Sequence, residues 1–152
     1  MRVLVLNGPN LNLLGTREAD VYGLASLDEI ARSLRDAFPD VDLAFAQHNG
    51  EGALIDALHA AERDGHGGVV INPGGYGHTS VALRDAIAAV RVPVVEVHLS
   101  NVYAREPFRR RLVLAPACAG VITGLGPAGY HLAVRYLRDF APRARGAART
   151  DA

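Results

Sequence analysis

The side chains in this 152-residue sequence that could do chemistry unaided gather in three short stretches. Asn7 to Gly23 carries Asn7, Asn10, Asn12, Arg17 and Tyr22. Asn72 to His78 carries Asn72, Tyr76 and His78, and His98 to Asn101 carries His98 and Ser100. Such groups move protons and hold carboxylates or hydroxyls. Tyrosine is a poor base at its ordinary pKa of about 10, but an opposite charge within about 4 to 6 Å lowers a phenol's pKa by roughly 1 to 3 units. Arg17 lies on the same stretch as Tyr22, a spacing that permits this pairing without requiring it.

Other chemistries lack their signatures. All sixteen basic residues are arginines, so no lysine can form an imine with a carbonyl. The six histidines show no HExxH spacing and only one cysteine could assist them, which argues against a metal site. No GxSxG elbow and no P-loop occurs. Gly124-Leu125-Gly126-Pro127-Ala128-Gly129 fits GxGxxG, but it stands before the last helix rather than in a first βαβ unit. Tight strand-to-helix packing is the simpler account of these glycines, and no cofactor is expected.

Composition narrows the partners. Sixteen acidic residues balance the sixteen arginines, so the chain has no electrostatic footprint for nucleic acid or an anionic membrane, and a small polar metabolite fits better. Cys118 has no partner for an internal disulfide and reads as a buried, inert thiol, which suits a reducing cytoplasm. Four aliphatics after Met1-Arg2 are too few for a signal-peptide core, and no run is long enough to span a membrane.

The elements that must position these groups follow from the apolar pattern. Short β-branched or aliphatic runs at about 2–6, 41–45, 69–71, 94–97 and 120–123 read as strands. Between them, Ser26-Leu27-Asp28-Glu29 is a capping box opening a helix with Ile30, Ala31, Leu34 and Phe38 on one face. Further helices are expected at about 51–63, from a Thr79 cap to about Val90, and from about Gly126 to Phe140. The alternation predicts a three-layer α/β domain with a parallel sheet of order 2-1-3-4-5. In that order the polar stretches after strands one, three and four converge at the topological switch point. The first is the long one, some seventeen residues where about 2 to 6 are usual, which marks it as a binding loop or lid. A flavin-binding protein or a non-catalytic signalling domain of the same architecture stays open at this point, although strand one ends in Asn-Gly-Pro-Asn and not in the acids of a phospho-acceptor site.

Longer motifs carry a resemblance. Asn7-Gly8-Pro9-Asn10-Leu11-Asn12-Leu13-Leu14-Gly15-Thr16-Arg17-Glu18 with Tyr22-Gly23 resembles the opening signature of the type II 3-dehydroquinate dehydratases. So do Ile71-Asn72-Pro73-Gly74 with Tyr76, the run His78-Thr79-Ser80-Val81-Ala82-Leu83-Arg84-Asp85-Ala86, and Glu96-Val97-His98-Leu99-Ser100-Asn101. The resemblance spans residues 2–138. It implies a flavodoxin-like catalytic subunit; length and composition separately give a single domain of residues 1–140 and a polar, arginine-bearing tail, 141–152, expected to be disordered. The resemblance further implies cofactor-free dehydration of 3-dehydroquinate to 3-dehydroshikimate by anti elimination through an enolate, in the shikimate pathway or in quinate breakdown.

By position, the resemblance makes Tyr22 the base, Arg17 the group that keeps Tyr22 ionised and steadies the transition state, and His98 the acid, oriented by Glu96. Asn10 would support the enolate through a water. Asn72, His78, the Leu99-Ser100 backbone and Arg109 would bind substrate, with Arg105 and Glu51 nearby. Asp85 would reach the site of a neighbouring subunit, since the family assembles as a dodecamer of four trimers. Three positions depart from the family's common residues: His48 for Ser, Tyr103 for His and Pro107 for Glu. They bear on substrate affinity, Pro107 through the segment that presents Arg109.

Overall fold

Five parallel strands form one sheet of order β2-β1-β3-β4-β5. The computed structural model describes residues 1–16 and 25–142. In chain order these are β1 (Arg2–Asn7), α1 (Leu27–Ala37), β2 (Asp42–Gln47), α2 (Glu51–Arg63), β3 (Gly68–Asn72), α3 (Val81–Ala89), β4 (Val94–His98), β5 (Gly120–Thr123) and α4 (Ala128–Asp139). The expected order and layering are those observed.

The sheet's alternation sorts its side chains into two cores. Val3, Val5, Val70, Val95 and Val97 face α1 and α4, where they meet Ile30, Leu34, Tyr130, Val134 and Leu137. Leu4, Leu6, Val69, Ile71 and Val94 face α2 and α3 and meet Leu54, Leu58, Leu83 and Ile87. Strands covered on both faces read as continuous apolar runs, as β1 and β3 do, whereas β4 is interrupted by the buried Glu96. The outer strands β2 and β5 are only partly buried.

Several boundaries differ from those expected. β2 starts at Asp42 and continues to Gln47, because β1 supplies a ladder partner as far as Asn7. The capping box of α1 forms as expected, with Ser26 Oγ accepting from the Glu29 N–H at 3.2 Å and Glu29 Oε2 from the Ser26 N–H at 2.9 Å. Thr79, however, does not cap α3. That place belongs to Ser80, whose Oγ accepts from Leu83 N–H at 2.9 Å and donates to Glu51 Oε2 at 2.6 Å, while Thr79 closes the preceding 3-10 turn. The last helix begins at Ala128 rather than Gly126, whose φ of 57° is left-handed and incompatible with a helical start.

Candidate active site

The site is built where β1 and β3 end side by side, with Asn7 and Asn72 in register. Their following turns interlock. Gly8 N–H donates to Asn72 O at 2.7 Å, and a Cβ at Gly8 would fall 2.4 Å from Pro73 O, so only glycine lets the two turns touch. The chain after Gly8 then takes a left-handed step at Asn10 (φ 69°), whose N–H is held by Asn49 Oδ1 at 3.0 Å. Gln47 Nε2 braces the same corner through Gly8 O and Asn49 Oδ1. These contacts aim the start of the long loop across the sheet's carboxyl edge.

The opposite wall comes from the end of β4. Glu96 is wholly buried, and its Oε1 accepts from His98 Nε2 at 2.7 Å. A carboxylate only accepts, so Nε2 carries the hydrogen and Nδ1 is the imidazole nitrogen left for other work. The second oxygen, Oε2, has the Cys118 thiol 4.0 Å away. Cys118 is half-buried rather than fully so, and burial beside Glu96 pushes its pKa up to about 12, leaving an unreactive thiol at neutral pH.

His78 stacks on His98 with ring centroids 5.7 Å apart. Its Nδ1 donates to the Arg111 carbonyl at 2.9 Å, which leaves Nε2 as an acceptor in the neutral ring. Burial holds the His78 pKa below its ordinary value; the Arg111 carbonyl opposes this, and His98 and Arg109 reinforce it.

The GxGxxG turn props this wall. Gly124 N–H donates to His98 O and Gly126 N–H to Leu99 O, while Thr123 Oγ1 donates to Ser100 O at 2.9 Å. Gly129 brings α4 onto the sheet, where a Cβ would already press Val97 and Ile122 at 3.2 and 3.4 Å. Beyond Ser100, the 3-10 turn Pro107–Arg110 carries Arg109, tethered by its Nε to Glu106 Oε2 at 2.7 Å. Pro107 occupies the first position of that turn, where proline's fixed φ and missing N–H cost nothing. Tyr103 is 56% exposed and does not line the cleft.

Between the walls lies a cleft open to solvent. Asn10, Asn72, His78, His98, Leu99, Ser100, Arg105 and Arg109 all line it. Glu96 stands behind His98. Asp85 is exposed on α3 and does not line the cleft of its own chain. Arg17 and Tyr22 lie outside the described residues, as does the tail from residue 143. Sequence reasoning missed Tyr130, a fully buried α4 residue whose hydroxyl reaches both Asn7 and Asn72. Burial drives its pKa upward, so it stays a neutral phenol. Among the described residues, no group of three or more His, Cys, Asp or Glu side chains is arranged to hold a metal ion, and no helix is long and apolar enough to cross a membrane.

Fold and cleft define a flavodoxin-like α/β protein with an imidazole–carboxylate pair at its switch point. Comparison with known proteins narrows this to one family. The family model described as dehydroquinase class II matches residues 1–138, and the chain belongs to that family. It is 55% identical to a 3-dehydroquinate dehydratase of Pelodictyon phaeoclathratiforme over 138 residues, covering 90% of this chain and 91% of the relative. A protein of the same name from an Exiguobacterium species is 59% identical over 138 residues, covering 90% and 94%. The crystal structure of a type II dehydroquinase from Butyrivibrio crossotus superposes with a TM-score of 0.89 at 42% identity, covering 91% of this chain and 98% of that one.

Proposed function

We propose that the chain dehydrates 3-dehydroquinate to 3-dehydroshikimate, acting as a hydro-lyase through an enolate. The observation that carries this reading is the convergence of the Glu96–His98 pair with Asn10, Asn72, His78 and Arg109 in one cleft of a class II dehydroquinase.

In this mechanism Tyr22, ionised under the influence of Arg17, removes the proton beside the ketone, and the C–H electron pair becomes the enolate. Asn10 supports the enolate oxygen through a water, in the manner of a hydrogen-bonded oxyanion site. The enolate then collapses to the conjugated enone, expelling the hydroxyl of the neighbouring carbon. To serve as the acid His98 must carry a second hydrogen on Nδ1, the nitrogen that Glu96 leaves free; that hydrogen passes to the departing hydroxyl, which leaves as water, and the Nε2 bond to Glu96 fixes the ring for the transfer. Arg109, the Leu99–Ser100 segment, Asn72 and His78 hold the substrate's carboxylate and hydroxyls; Arg109's tether to Glu106 keeps its guanidinium at the rim. Asp85, exposed on α3, completes the site of a neighbouring subunit in a dodecamer of four trimers. The reaction serves aromatic amino acid biosynthesis in the cytoplasm; in quinate breakdown the same step would run, and aromatic auxotrophy of a deletion strain separates the two roles.

The test is to add purified protein to 3-dehydroquinate and follow the ultraviolet absorbance of the enone, with Tyr22→Phe and Arg17→Ala alongside. A rise with the native chain that falls by orders of magnitude in both variants is expected. Near-native turnover in either variant would remove that residue from the mechanism, and no rise from the native chain would overturn the activity.

A further inference from the structure

Asn72 lines the cleft, yet its carboxamide is committed inward at two points. Its Nδ2 donates to the Tyr130 hydroxyl at 2.9 Å, and its Oδ1 accepts from Gly74 N–H at 3.2 Å. The Tyr130 hydroxyl in turn donates to Asn7 Oδ1 at 2.5 Å, and the three side chains are 4%, 3% and 0% exposed at Asn7, Asn72 and Tyr130. A phenol has one hydrogen to give. With that hydrogen on Asn7, the oxygen is an acceptor toward Asn72, so Nδ2 must face Tyr130 and Oδ1 must face Gly74. The reverse orientation would set the NH2 group against the Gly74 N–H. One N–H and one lone pair of Asn72 then remain for whatever the cleft binds.

We propose that Tyr130 is a positioning residue of the cleft: its buried hydroxyl, bonded at once to Asn72 Nδ2 and Asn7 Oδ1, sets which atoms of the Asn72 carboxamide meet the substrate. Tyr130 touches no substrate itself. Removing the hydroxyl leaves a donor on Asn72 and an acceptor on Asn7 facing the same small gap. Their direct closure draws the carboxamide off the cleft, and failure to close leaves two buried polar groups unsatisfied. Either way the loss falls on substrate binding.

The inference rests on the dehydration reading for its kinetic readout, and a second readout is free of it. In Tyr130→Phe, KM for 3-dehydroquinate is expected to rise about tenfold, the size of one lost charge-free hydrogen bond in a buried site, with kcat altered less than about threefold. In an Asn72→Ala background the same substitution should add nothing to KM, because the group it positions is gone. Val134→Ala, which opens the core on the same helix, should lower Tm and leave KM unmoved.

Native KM in Tyr130→Phe, or a full additive rise in the Asn72→Ala background, would overturn the proposal. If Tyr130→Phe fails to fold, Asn7→Ala replaces it: this deletes the acceptor that fixes the phenol's hydrogen and should raise KM at least threefold, native KM there counting against the proposal. Independently of activity, the Asn72 Nδ2 hydrogen bonded to Tyr130 should exchange slowly in the ligand-free protein and fast in Tyr130→Phe. Should the native chain not dehydrate 3-dehydroquinate, only the functional reading falls, and equal exchange in both proteins is what would then sink the role of Tyr130.

Discussion

His98 and His78 are the same residue type 5.7 Å apart, and their partners give them opposite hydrogen-bonding duties. A buried carboxylate fixes the hydrogen of His98 on Nε2, whereas a main-chain carbonyl fixes that of His78 on Nδ1. The second arrangement has a pH signature. The folded-state pKa of His78 is lowered, chiefly by burial, so above about pH 6.5 both folded and unfolded chains hold it neutral and its contribution to stability is complete. As pH falls through that value the unfolded chain binds a proton that the folded chain resists, and stability drops until the folded-state pKa is passed. Urea midpoints at pH 7.5 and 5.5 should therefore diverge in the native protein and diverge less in His78→Asn, whose amide can keep the bond to Arg111 O. Equal pH dependence in the two proteins would mean that other groups dominate. At this scale much of the cleft was legible, since Asn10, Asn72, His78, His98 and Ser100 sit in runs of polar residues directly after apolar strands. Tyr130 was not, because in sequence it shares the apolar stripe of α4 with Ala133, Val134 and Leu137, and only its hydroxyl distinguishes it. The available signal was indirect: two asparagines at neighbouring buried strand ends need a polar partner from somewhere.

Element boundaries were legible where one local interaction decides them. The Ser26–Glu29 box is such a case, and it secures the first turn of α1, the helix that follows the long loop. Ser26→Ala should cost about 0.5 to 2 kcal/mol by the usual worth of an N-cap, read as a lowered urea midpoint. A loss below that range would show that packing of Ile30 and Leu34 alone defines the helix start. Thr79 was misread for a related reason. Both Thr79 and Ser80 can cap, and the choice falls to Ser80 because its hydroxyl also reaches Glu51 on α2, a contact 29 residues away that no local pattern contains. Gln47 likewise extends β2 through a ladder whose other half is in β1. The Pro107–Arg110 turn shows the converse, since proline fits there by backbone geometry alone.

At the scale of the molecule, the sheet order was legible because βα alternation with a long first loop leaves few ways to close two cores. The assembly is a different matter, since nothing in a single chain's apolar pattern states how copies meet. Asp85 makes the proposed assembly testable. If each site takes Tyr22 from its own chain and Asp85 from a neighbour, Tyr22→Phe and Asp85→Ala subunits should each be weakly active alone. Refolded together at equal concentration they should regain about a quarter of native turnover, the fraction of sites that random assortment supplies with both groups. Activity no greater than the sum of the separate variants, or a monomer by light scattering, would contradict the shared site.

The hydroxyl of Tyr130 meets Asn7 across 123 residues of sequence, nearly the length of the described chain. During synthesis, then, β1 and β3 emerge long before the group that satisfies their terminal asparagines exists. A nascent chain halted just before Ala128 contains all five strands but carries a polar gap at the future cleft and lacks the helix that covers one face of β4. Such an intermediate should be open to proteases and prone to collect water at the switch point. Completion of the described fold is thus tied to α4, and a pause in translation just before α4 is made lengthens the vulnerable interval.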